Sequence, residues 1–136
     1  MKATVMVNDW VMFKGLYYQV TEISRKGWVH LSYDGTIVSM SSDYLLEELQ
    51  PVPITPEILG RNGFKPTQHG YVIAEDYYDI TIREWSDSIW VFRYESTEMN
   101  IPHTQIVFGF VHELQHALRL CGLDEMADNF KVQEED

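Results

Sequence analysis

Short β-forming segments broken by turn signals fill the N-terminal third of this chain, and they leave few folds open to it. Residues 9–14 (DWVMFK) run into Gly15, and residues 16–24 (LYYQVTEIS) end at Arg25-Lys26-Gly27. Residues 28–33 (WVHLSY) meet Asp34-Gly35, and residues 36–40 (TIVSM) follow. Aromatic and β-branched side chains suit a pleated, half-buried surface, and Asp-Gly tolerates the positive φ of a two-residue hairpin. A sheet this small must close on itself or pack on a neighbour to hide its edges. The expectation is an SH3-like small β-barrel over residues 1–52, with Asp34-Gly35 at a hairpin tip.

Pro51-Val52-Pro53-Ile54 then reads as an extended connector, because each proline restricts the residue before it. Thr55-Pro56-Glu57 opens a short helix: a hydroxyl to cap it, a proline suited to its first position, an acid in its first turn. Asn62-Gly63 closes it with residues that tolerate left-handed backbone. Strands are expected over 71–76, 78–85 and 89–95, with Ser86-Asp87-Ser88 as a turn. Apolar and polar residues alternate from Tyr78 to Arg83, the pattern of a sheet covered on one face. The expected cover is one amphipathic helix over residues 104–121. Its apolar stripe is Val107, Phe110, Val111, Leu114, Ala117, Leu118 and Cys121, and Gly122 stops it. Glu134-Glu135-Asp136 is expected to fray. The fold class is therefore α+β: the barrel over 1–52, then an antiparallel sheet with a C-terminal helix over 53–136.

Charge and cysteine content narrow the function. With 21 acidic against 10 basic residues the net charge is −11, and the basic residues are scattered, which argues against nucleic-acid binding. An acidic surface serves solubility, steers towards a basic partner, or mimics nucleic acid. A single cysteine, Cys121, permits no internal disulfide and fits a reducing compartment. No signal-like segment opens the chain and no apolar run reaches membrane-spanning length, so a cytoplasmic location without membrane contact is expected.

The order of Asp9-Trp10-Val11, Tyr18-Gln19-Val20-Thr21, the segment from Pro51 to Leu59, Asn62-Gly63-Phe64 and Val111-His112-Glu113-Leu114-Gln115-His116-Ala117-Leu118 resembles a family of small uncharacterised proteins from gut anaerobes and their phages. The proline connector and the final helix are the specific parts. The resemblance implies a barrel-like module followed by a sheet-plus-helix module, variation at the positions of Glu113 and His116, and no known activity.

His112-Glu113-Leu114-Gln115-His116 matches the H-E-x-x-H pattern of zinc peptidases. Residues four apart share a helix face, so two imidazoles can grip one Zn²⁺ while the glutamate polarises its water. A third protein ligand is needed. The continuation that would supply one is missing, since Arg119 and Gly122 stand at its glycine and histidine positions. His103, Glu125, Asp128 and Glu134 are nearby but in no recognised pattern. A helical wheel sets His112 and His116 opposite Leu114, with Gln115 and Arg119, on a face expected to meet solvent. Arg119 adds positive charge where a cation would sit. Cys121, on the apolar stripe, reads as a buried, inert thiol. Glu75, Asp76, Asp79 and Glu84 form an acidic group that reads first as solvated strand ends and second as a cation or acid–base site. Tyr17, Tyr18, Tyr71, Tyr77 and Tyr78 are candidates for a peptide groove.

The leading expectation is a non-enzymatic protein-interaction module with an unknown protein partner. It has no catalytic residue, cofactor or metal, and its acidity leaves room for nucleic-acid mimicry. The alternative is a small zinc-dependent metallopeptidase with His112 and His116 as ligands and Glu113 as general base. Self-association through a sheet edge or the helix is a third reading.

Overall fold

Lys14 and Gly15 both take positive φ, 49° and 81°, so the chain reverses in two residues between β1 (Trp10–Phe13) and β2 (Leu16–Ile23). That matches the twist of the strands it joins. The computed structural model describes residues 5–25, 27–33, 36–41, 49–96 and 104–133. They fall into two units, Met1–Val52 and Pro53–Asp136, whose boundary lies within the proline connector.

In the first unit β3 (Trp28–Tyr33) and β4 (Thr36–Ser41) extend the sheet in the order β1-β2-β3-β4. Tyr33 pairs with Thr36; the Asp34-Gly35 turn expected between them lies outside the described residues. Register explains which face is dry: Val11 stands opposite Tyr18 and Val20 opposite Leu31. These residues, with Phe13, Val29 and Leu49, form one buried cluster. The ring of Tyr18 meets Phe13 edge-on at 6.2 Å and Tyr33 at 5.6 Å. The described strands form an open antiparallel sheet, with no ladder between β1 and β4, rather than the closed barrel expected. Short strands and tight turns are shared by open meanders and small barrels alike, and closure depends on strand curvature that residue type does not reveal.

The second unit begins where Ile54 N–H donates to the Gly109 carbonyl at 3.4 Å. Helix α1 (Pro56–Arg61) starts as its sequence requires: Ile58 N–H donates to Thr55 Oγ1 at 3.2 Å, and Pro56 takes the first turn. Gly63 ends it at φ 88°, with Phe64 N–H on the Leu59 carbonyl and Gly63 N–H on that of Gly60. That pair of bonds is a Schellman motif. Then come β5 (Lys65–Thr67), β6 (Gly70–Ala74), β7 (Tyr78–Ser86), β8 (Ile89–Ser96) and β9 (Thr104–Phe108), in sequence order in one antiparallel sheet. Buried Ile73 faces Ile80, Ile82 faces Phe92, and Trp90 faces Phe108. Among the described residues no helix is long and apolar enough to cross a membrane.

One expectation fails at β9. Residues 104–108, expected at the start of the final helix, form the fifth strand, and helix α2 covers only Val111–Leu120. Thr, Ile, Val and Phe favour a strand, and a ladder with β8 from Trp90–Phe108 to Tyr94–Thr104 holds them there. Val107 is consequently 65% exposed rather than core, and Phe110 is 37% exposed, while Val111, Leu114, Ala117 and Leu118 are buried.

Nor does one helix stand alone. α2 meets both β9 and a third helix, α3 (Asp124–Asp128). The buried Gln115 amide donates to the Ala127 carbonyl at 2.9 Å. Beyond α3, Phe130 and Val132 are buried, and the chain is clamped to α1. Asn62 donates to the Lys131 carbonyl and accepts from Lys131 N–H, both at 2.7 Å, while Arg61 donates to the Val132 carbonyl. Asn62 thus acts as a surrogate strand residue, satisfying both polar groups of Lys131. The terminal acidic residues 134–136 lie outside the described residues.

Candidate functional site

The H-E-x-x-H motif occupies the first turn and a half of α2, and its groups are engaged in structure. Phe110, at the N-cap, has no side-chain acceptor for the free N–H groups there. Glu113 supplies one: its Oε1 accepts from Gly109 N–H at 3.0 Å and Phe110 N–H at 3.2 Å. An anion in this place is also favoured by the helix dipole. The carboxylate that a peptidase would aim at a water is held by its own backbone.

The two histidine rings lie 5.7 Å apart, edge to face at 81°. His116 is partly exposed, but His112 is only 3% exposed and stacks on Phe110 at 6.2 Å and 11°. The expected solvent-facing histidine pair is therefore corrected at His112 and Gln115, both buried. A helical wheel allows one covered face; Gln115 is covered from a second side by Ala127, which takes its amide, and His112 lies under the Phe110 ring. Arg119 points to Asp128 at 3.4 Å, which ties α2 to α3 and takes up one of the acids considered as a third ligand. His103 and Glu134 lie outside the described residues. Among the described residues no group of three or more His, Cys, Asp and Glu is placed to hold a metal ion.

The other sequence candidates disperse. Cys121 follows α2 and is partly buried; burial pushes its thiol above the usual range, and a hydrogen bond with Thr104 draws it partway back. Tyr78 stacks on Tyr94 at 5.6 Å and 24°. Burial first, then the Glu75 carboxylate and Tyr94, raise its hydroxyl above the ordinary value. Tyr18 is consumed in the first core, and Tyr77 is 61% exposed. Glu84 pairs across the ladder with the core residue Trp90, whereas Asp79 pairs with Glu95, so these two acids lie on opposite faces of the sheet.

Asp79 belongs to the feature that sequence reasoning missed. The face of the second sheet opposite its core holds a recess of about 440 Å³. Its rows follow from register. Ala74, Asp79 and Glu95 form one; Val72, Thr81, Arg93 and Gln105 the next; Arg83 and Val91 the third. His69, in the β5–β6 turn, also lines it. Arg93 Nε bonds Glu95 at 2.7 Å, with half of the arginine side chain exposed. Among the described residues Arg83 makes no salt bridge. β6 lies close against β7 here because Gly70, at φ 117°, has no Cβ; one built there would fall 2.7 Å from the Ile82 carbonyl oxygen. The alternation from Tyr78 to Arg83 predicted a covered face and an open one. No spacing motif marked the open one, because its residues come from four strands.

No family model, curated protein or solved structure matches the chain.

Proposed function

We propose that this is a non-enzymatic protein-interaction module that takes an extended segment of a partner on the open face of its second sheet. The observation that carries the reading is the recess itself. It combines an apolar floor at Val72 and Val91 with hydrogen-bonding and charged groups from neighbouring strands, Thr81, Arg83, Arg93 and Gln105. Recesses of a few hundred Å³ with a few convergent polar groups are where proteins take ligands. A zinc-peptidase reading gains no such support, since Glu113 is taken up in capping α2.

The first unit is read as an SH3-like scaffold. Gln50 lies on the outer side of β1, exchanging 2.8 Å backbone bonds with Met12 in an isolated bridge. The net charge of −11 disfavours nucleic acid as the partner, and the single cysteine fits a reducing, cytoplasmic setting. Membership of the family of small proteins from gut anaerobes and their phages is part of the same proposal.

The test is quantitative capture from an extract of the source cells, wild type against Arg83→Glu with Arg93→Glu. A protein retained by wild type and lost by the variant, with unchanged circular dichroism, supports the reading. Capture that ignores the variant overturns it. So does peptide hydrolysis that a chelator abolishes, zinc restores and Glu113→Gln removes.

A further inference from the structure

The open face is polarised along its strands. At one end Asp79 and Glu95 stand directly opposite each other, a like-charge cross-strand pair that is unfavourable by itself. The neighbouring Arg93 bonds only the Glu95 side of that pair. Two register steps away stands Arg83, opposite the apolar Val91. The acidic and basic ends are thus four residues apart on β7, roughly 13 Å at about 3.3 Å per residue. Between them on β6 and β7 lie the apolar Val72 and the short, neutral Thr81, in the same row as Gln105 and the Arg93 that bonds Glu95. In an acidic chain this end of the face is a local reversal of sign.

Resting on the proposed reading of this face as a peptide site, we infer that its occupant is an extended peptide of a partner protein with a cationic and an anionic side chain four residues apart. In an extended chain, residues i and i+4 point the same way and span the same roughly 13 Å. The anionic side chain sits at Arg83 and the cationic one at Asp79 and Glu95, with a small β-branched residue between them over Thr81. A planar carboxylate matches the guanidinium fork at Arg83. Either strand direction satisfies this arrangement, so the spacing is selected and the order is not. A second copy of the chain is a poorer occupant, since two copies at −11 each repel.

The probe is the peptide acetyl-Lys-Thr-Val-Thr-Glu-amide, titrated into ¹⁵N-labelled full-length protein at low salt. Its control has the same composition with Lys and Glu adjacent. The expected result is amide shifts confined to β6–β9, affinity at least about tenfold weaker for the control, and weakening as salt rises. Arg83→Glu should cost at least about tenfold for this peptide and improve binding of the variant peptide carrying Lys at both ends. That exchange of preference is something a folding defect does not produce. Equal shifts from both peptides, shifts elsewhere, or an Arg83→Glu protein with unchanged preference would overturn the inference. If these peptides fail while capture of a partner still depends on Arg83 and Arg93, the charge pattern is wrong and the interaction face stands. If capture also ignores the face, both fall.

Discussion

Helix α2 and the open face of β7 and β8 are opposites in how they present chemistry. α2 carries the most recognisable motif in the chain, yet three of its polar groups are engaged in structure. Glu113 caps the helix, Gln115 ties it to α3, and His112 is buried against Phe110. The strands carry no motif, yet Arg83, Arg93, Asp79 and Thr81 converge on one recess. A pattern of residue types marks a site only when the fold leaves those side chains unspent.

The comparison breaks most easily at the helix. Leu114, 0% exposed, should cost about 2–5 kcal/mol when replaced by alanine, as read from urea denaturation. A loss below about 0.5 kcal/mol would mean that α2 is not seated in the core. Next in size, Glu113→Ala should remove about 0.5–2 kcal/mol by leaving Gly109 and Phe110 N–H uncapped. If Glu113→Ala instead leaves stability untouched, the carboxylate is available for other work and the contrast between the two regions disappears.

A smaller effect belongs to Tyr78. Burial raises the pKa of its hydroxyl above the ordinary phenol value, so the folded state favours the neutral phenol. The stabilisation is complete below that value and is lost as pH rises through the folded-state value. The fall in melting temperature between pH 9 and pH 11 should be steeper for wild type than for Tyr78→Phe; equal slopes would count against the burial that raises the group. The smallest stability change is expected at the recess. Arg83→Gln should alter stability by no more than about 0.5 kcal/mol while weakening peptide binding. A larger loss would place Arg83 among the structural groups, with those of α2.

The amino-acid sequence by itself determined what depends on neighbours along the chain. β1 to β4, the Thr55 cap and Asn62-Gly63 close of α1, and the covered face of β7 all follow from turn chemistry and a two-residue period within a few positions. Tertiary structure decided the rest. Residues 104–108 carry an apolar spacing that fits a short helix or a strand, and only the unpaired edge of β8 selects the strand. The burial of Gln115 depends on Ala127, whose carbonyl takes its amide from twelve residues away, and His112 is stacked on the Phe110 ring, neither of which a helical wheel shows. Pairing over 69 residues, from Asn62 to Lys131, leaves no local periodicity to read. The recess was hidden for the same reason, since Asp79, Arg83, Arg93 and Gln105 become neighbours only when register places their strands side by side.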